Sequence, residues 1–177
     1  RKVFEKYKKL IKPIILFKSK TIKESQNFFD EFVEGIKNLK VSDLEKIKNS
    51  NPDEAIAKLF KYFDANNISL ENLITELKED FSEEKLISVN SKNESEEKQL
   101  AVNSLEDEDN EYRAVFAVDK LNEGWDVLNL FDIVRLYNTR DARYGKPGKT
   151  TMAEAQLIGR GARYCPFQTS EEQQFYS

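Results

Sequence analysis

The sequence predicts an α/β domain: a mostly parallel central sheet with helices on both faces. Three observations predict it. Short continuous apolar runs recur at 13–17, 85–89, 113–118 and 131–136, as in strands buried on both faces of a sheet. Stretches between them space their apolar residues every three or four positions, as amphipathic helices do. The two patterns alternate, which favours a parallel sheet over separate all-α or all-β parts. A chain of 177 residues, 39% hydrophobic and 34% charged, can bury one real core.

Taken in order, 13–17 is the first strand, and Lys18, Ser19, Lys20 and Thr21 form a polar turn. From Ile22 to about Asn38 the spacing of Ile22, Phe28 or Phe29, Phe32, Val33 and Ile36 is helical. Pro52, Asp53 and Glu54 open a second helix, because proline suits the first helical position and acids in the first turn favour the helix dipole. Ala55, Leu59, Phe60 and Phe63 are its expected inner stripe. A third helix starts at Ser69 and ends near Phe81. These helices are read as an insertion at about 41–82. After the strand at 85–89, residues 90–111 are read as an acidic flexible segment, in which Leu100, Val102 and Leu105 hint at a short helix. Buried strands follow at 113–118 and 131–136, then a polar loop. Thr151 with Glu154 matches a capping box, opening a last helix that runs from Met152.

Composition excludes several chemistries. There is no histidine, and Cys165 is the only cysteine. A Ser-His-Asp triad, a Cys–His pair and the usual zinc sites are therefore excluded. No intrachain disulfide can form, which fits a reducing, cytoplasmic location. No long apolar run suggests a membrane span. The formal charge is −4, but bases gather near both ends of the sequence and acids between. If the two basic ends meet, they make one basic face.

The most informative segment is QLIGRGARYCPF, from Gln156 to Phe167. A helix advances about 100° per residue, so Gln156, Arg160 and Arg163 share a face. Two guanidinium forks one turn apart suit an anion whose charge grows during reaction. A polar helical stripe is ordinarily a solvated side, yet two features oppose that here. Gly159 and Gly161 each cost a helix about 1 kcal/mol relative to Ala, and the stripe lacks Glu–Lys pairs. The segment resembles the sixth conserved motif of superfamily 2 helicases and translocases, in the spelling of the restriction (Res) subunit of type III restriction enzymes.

Some thirty residues earlier, the strand at 113–118 feeds the loop Asp119-Lys-Leu-Asn-Glu-Gly-Trp-Asp126. It resembles the fifth motif of the same superfamily, in the same order. Where many relatives carry a phosphate-contacting Thr, Val118 stands, so that contact is not transferred. The Lys18-Ser19-Lys20 turn resembles the fourth motif. The resemblance is specific from about Arg113 to Phe167, and 41–86 matches no motif.

The resemblance implies a RecA-like second motor domain of an ATP-dependent DNA translocase with endonuclease activity. Arg160 and Arg163 would be arginine fingers, with Gln156 orienting the attacking water or the γ-phosphate. Gly124 and Asp126 would lie near the nucleotide. Lys18, Ser19, Lys20, Lys120, Asn122 and Glu123 would lie near the nucleic-acid backbone. ATP and Mg2+ would be held mainly by an N-terminal RecA-like domain of the same parent, of which this chain would be a fragment. Double-stranded DNA, a methyltransferase (Mod) subunit and a nuclease domain of the parent would be its partners, with no membrane. The alternatives are another superfamily 2 DNA or RNA helicase, or a degenerate module kept for interaction alone.

Two look-alikes fail. Gly145 to Thr150 suggests a phosphate loop but lacks four residues between its glycines. Asp53 with Glu83, Glu84 and Lys85 suggests a nuclease carboxylate set, but Asp53 stands at a helix start.

Overall fold

The apolar runs become β1 (Ile14–Lys18), β2 (Leu86–Val89), β3 (Ala114–Ala117) and β4 (Leu130–Arg135). They form a four-stranded sheet in the order β2-β3-β1-β4, and every pairing is parallel. The computed structural model describes residues 12–50, 52–90, 95–118, 127 and 129–137. Contacts divide the chain into two units, Arg1–Phe29 with Lys85–Ser177, and Asp30–Glu84.

In the first unit the register stacks like with like. Leu16 lies beside Val115 and Ile133, and Phe17 beside Phe116 and Val134. Side chains alternate between faces along a strand, so two cores result. On one face Ile14, Leu16, Ile87, Val89, Val115 and Leu130 pack with Val102 and Leu105. Val102 comes from α5 (Glu96–Asn103) and Leu105 from the turn after it. On the other face Phe17 and Phe116 stack at 5.0 Å. Phe28 and Phe29, from α1 (Ile22–Asn38), lie 6.1 and 5.0 Å from Phe116. Helices thus cover both faces. Each fully buried side chain of this size contributes about 1.5–3 kcal/mol.

Within the acidic stretch, α5 is held at its start by Ser95, whose hydroxyl accepts from Lys98 N–H at 3.3 Å. Glu96 and Glu97 occupy its first turn, where acids favour the helix dipole.

The expectation of a strand buried on both faces at 131–136 is corrected. Leu130 is buried, but Phe131 is 44% and Val134 38% exposed. Among the described residues β4 is the outer strand of the sheet on the β1 side. A slip in register lets Ile14 pair with Leu130 and Ile15 with Asp132, passing over Phe131.

At the amino end of the sheet, Asn129 ties three segments together. Its amide donates to the carbonyls of Lys12 (3.1 Å) and Leu105 (2.7 Å), and its own carbonyl accepts from Ile14 N–H at 2.8 Å. Lys12 Nζ donates to the Asn110 carbonyl. Partial burial, with Arg113 nearby, lowers the Lys12 pKa below the ordinary lysine value. Asn129→Ala would leave two carbonyls without their donor. It is expected to cost about 1–3 kcal/mol, read as a lower denaturation midpoint at unchanged slope.

The second unit is helical. It holds the latter part of α1, then α2 (Val41–Asn49), α3 (Glu54–Ala65) and α4 (Leu70–Asp80). Val33, Leu44, Phe60, Phe63 and Ile74 are its buried residues. Asp53 caps α3 by accepting from Ala55 and Ile56 N–H, both at 3.0 Å, and Ser69 caps α4 by accepting from Asn72 N–H. The expected stripe of α3 is corrected: Phe60 and Phe63 are buried, whereas Ala55 is exposed and Leu59 is 47% exposed. The inward arc centres on Ile56, Phe60 and Phe63, three and four residues apart, and leaves Ala55 and Leu59 to one side.

α3 ends through Asn67, whose φ is 53°. Ile68 N–H returns to Phe63 O at 2.9 Å and Asn67 N–H to Asp64 O at 3.3 Å. This closes the helix with a left-handed residue, a position asparagine tolerates better than most.

Candidate functional site

Strands running in parallel send the loops from their carboxyl ends out at one edge, where such sheets bind ligands. Three neighbouring strands meet there. Lys18, closing β1, is in register with Ala117 of β3 on one side and Arg135 of β4 on the other. Ser19 N–H donates to Ala117 O and Leu136 N–H to Lys18 O, each at 2.9 Å. Backbone hydrogen bonds therefore fasten the three ends side by side.

Each end leads into one of the segments singled out by the sequence. β1 continues into Ser19 and Lys20. β3 continues through Val118 toward Lys120, Asn122, Glu123, Gly124 and Asp126. β4 is followed in sequence, 21 residues on from Arg135, by Gln156 and then by Arg160 and Arg163. These last eight residues lie outside the described residues.

Of the β1 turn, Lys20 and Thr21 are exposed. Lys18 and Ser19 are 3% and 1% exposed. Alternation along the strand explains Lys18: it continues the inward face of Ile14 and Leu16. Ser19 Oγ and Ser25 Oγ are buried without a hydrogen-bond partner among the described residues. Such groups cost about 1–3 kcal/mol each.

The start of α1 already holds a carboxylate. Thr21 N–H donates to Glu24 Oε2 at 3.0 Å, and Glu24 N–H donates to Thr21 Oγ1 at 3.2 Å. This reciprocal cap satisfies two of the free donors of the helix and places negative charge at its end. An incoming anion would be drawn by Lys20, Lys23 and Arg135, which are exposed, rather than by the helix terminus.

Sequence reasoning named nothing at the end of β2, where Asn90 sits buried with its amide donating to Ser88 Oγ at 2.7 Å. Its place directly after an apolar run was the available signal. Asp53 and Glu83 lie at a helix cap and in the single turn Glu83–Lys85, not on adjacent strands, so no nuclease carboxylate set forms from them. Among the described residues no group of three or more acidic or sulfur ligands is placed to hold a metal ion. No described helix is long and apolar enough to cross a membrane.

Comparison with known proteins adds a family to this geometry. The family model HI_1054_N, described as an N-terminal region, matches residues 150–177. No solved structure matches. The probable type III restriction-modification enzyme HindVIP Res subunit of Haemophilus influenzae is 36% identical over an alignment of 145 positions, which covers 71% of this chain and 28% of that protein. The chain thus spans under a third of the length of the relative it matches. It is, over that span, a homologue of the Res subunits of type III restriction-modification enzymes.

Proposed function

We propose that the chain is the second motor domain of an ATP-dependent DNA translocase, within the restriction subunit of a type III restriction endonuclease. The observation that carries this reading is that the carboxyl ends of β1, β3 and β4 are fastened side by side in one parallel sheet. In sequence, the Gly124–Asp126 segment follows β3 and the Arg160–Arg163 segment follows β4. One edge of one domain can then face both a nucleotide and a nucleic-acid backbone.

In this reading ATP lies between this domain and an N-terminal motor domain of the parent. The partner domain grips the triphosphate and Mg2+, since the 177 residues hold no phosphate loop of the G-x-x-x-x-G-K-[ST] form. Gly124 admits the nucleotide close to the backbone, and Asp126 accepts from a ribose hydroxyl. Arg160 and Arg163 neutralise charge on the transferring phosphoryl group, and Gln156 orients the attacking water. Along the DNA, Lys20 meets a phosphate directly, with Lys120, Asn122 and Glu123 beside it. Lys18 and Ser19 reach the backbone only if the turn opens, because both are buried. Hydrolysis changes how the two motor domains close and so steps them along double-stranded DNA. The Mod subunit supplies site recognition, and a nuclease domain of the parent cuts.

Half a nucleotide site does not catalyse. The purified chain is expected to hydrolyse no ATP, alone or with duplex DNA, in a phosphate-release assay. Robust turnover that co-purifies with the chain and survives removal of contaminants would sink the reading.

A further inference from the structure

The helical unit Asp30–Glu84 has no part in the ATP and DNA chemistry proposed above, and its charge sets it apart. It carries fourteen Asp or Glu against seven Lys and no Arg, a formal charge of −7, whereas the remaining residues total +3. A surface of that sign repels a phosphate backbone and attracts basic protein segments. Nucleic acid is therefore a poor partner for this unit.

Within the unit lies an open cleft of about 340 Å³. Ligand sites run from about 300 to 1,000 Å³, so this one suits a single large side chain better than a nucleotide. Val33, Ile36 and Phe81 give it an apolar lining, and Phe81 stands edge-on to Phe32 at 5.8 Å. Both cations at the cleft are engaged. Lys37 Nζ pairs with Glu83 at 3.1 Å, and Lys78 Nζ donates to the Lys37 carbonyl at 2.8 Å. Ser82 Oγ, on the lining, is buried without a hydrogen-bond partner among the described residues. A hydroxyl can donate and accept, which matches the N–H or C=O of an extended peptide.

We propose that this cleft docks a basic segment of a partner protein, which seats one aliphatic or aromatic side chain over Ile36 and Phe81. The apolar lining supplies the anchor. The charge of the unit selects a segment whose flanking residues are Lys or Arg and speeds its encounter. Ser82 fixes the peptide backbone beside the anchor.

The whole chain, labelled with 15N, would be titrated with two synthetic peptides that share a central Leu-Phe pair, one flanked by Lys and Arg and one by Glu. Short duplex DNA forms the third arm. The basic peptide is expected to shift the amides of Ile36, Phe81 and Ser82 and to saturate, while the acidic peptide leaves them in place. Ile36→Glu adds charge of the attracting sign but removes part of the apolar lining. It is expected to weaken the basic peptide about tenfold, the effect of 1.4 kcal/mol, with helicity unchanged by circular dichroism. Should that variant unfold, Ser82→Ala replaces it and is expected to weaken binding several-fold. The proposal is overturned if the basic peptide shifts none of these amides or if the acidic peptide shifts them equally. It is overturned too if the folded variant binds as tightly as the parent chain, or if DNA shifts the same amides.

Discussion

In the complete enzyme, Arg163→Ala is expected to lower DNA-stimulated ATP turnover by about 10³-fold or more, with ATP binding changed little. An arginine finger contributes about 10³–10⁵ in phosphoryl transfer because it meets charge that grows as the γ-phosphate departs. The ground-state nucleotide offers less of that charge, so binding is affected less than rate. Arg163→Lys is expected to recover only a minor part of the loss, since an ammonium cannot reproduce the planar two-point fork. Steady-state turnover and nucleotide affinity, measured on the same preparation, separate the two effects. Unchanged turnover, or a loss of affinity as large as the loss of rate, would remove Arg163 from the finger role.

Phe116→Ala is expected to destabilise the first unit by about 3–5 kcal/mol, the range for deleting a buried aromatic side chain. Phe116 is 1% exposed at the centre of the sheet. Its ring stacks on Phe17 and meets Phe28 and Phe29 on the covering helix. Truncation would open a cavity between sheet and helix that neither can fill without leaving its register. Domains of this size have about 5–15 kcal/mol in total, so the variant should sit near its unfolding threshold. Val134→Ala, in register with the same aromatic layer but 38% exposed, serves as the comparison and should change stability by no more than about 0.5 kcal/mol. A denaturation midpoint for Phe116→Ala close to that of Val134→Ala would contradict the packing described.

The strands were legible from their apolar centres, and the starts of α3 and α4 from Pro52, Asp53 and Ser69, although Asp53 turns out to cap α3 rather than to lie in its first turn. Position within the sheet was not. Phe131, Ile133 and Val134 read like a buried run, and only the pairing order puts them on an outer strand. The burial of Lys18 was not anticipated either. The alternation of Ile14, Leu16 and Lys18 already implied that it points with the core. Asn129 gave no local sign, since its partners Lys12 and Leu105 are distant in sequence. For the candidate site, the order of the segments was legible, and the side-by-side ends of β1, β3 and β4 followed from a parallel sheet. The charge of the helical unit emerged only once its limits were known, because its acids are spread in small groups over the whole of 30–84.

The sheet order has a consequence for how the chain is made. β1 neighbours β3 and β4 but not β2, so Phe17 finds its partner only when Phe116 has been synthesised. At about 5–20 residues per second, β1 leaves the ribosome roughly 5–20 s before the strand that completes it. During that interval the helical unit, built from contacts between near neighbours, can fold while the apolar strand β1 has both edges unpaired. An unpaired apolar strand is prone to aggregate, and slowing translation between β1 and β3 would lengthen its exposure.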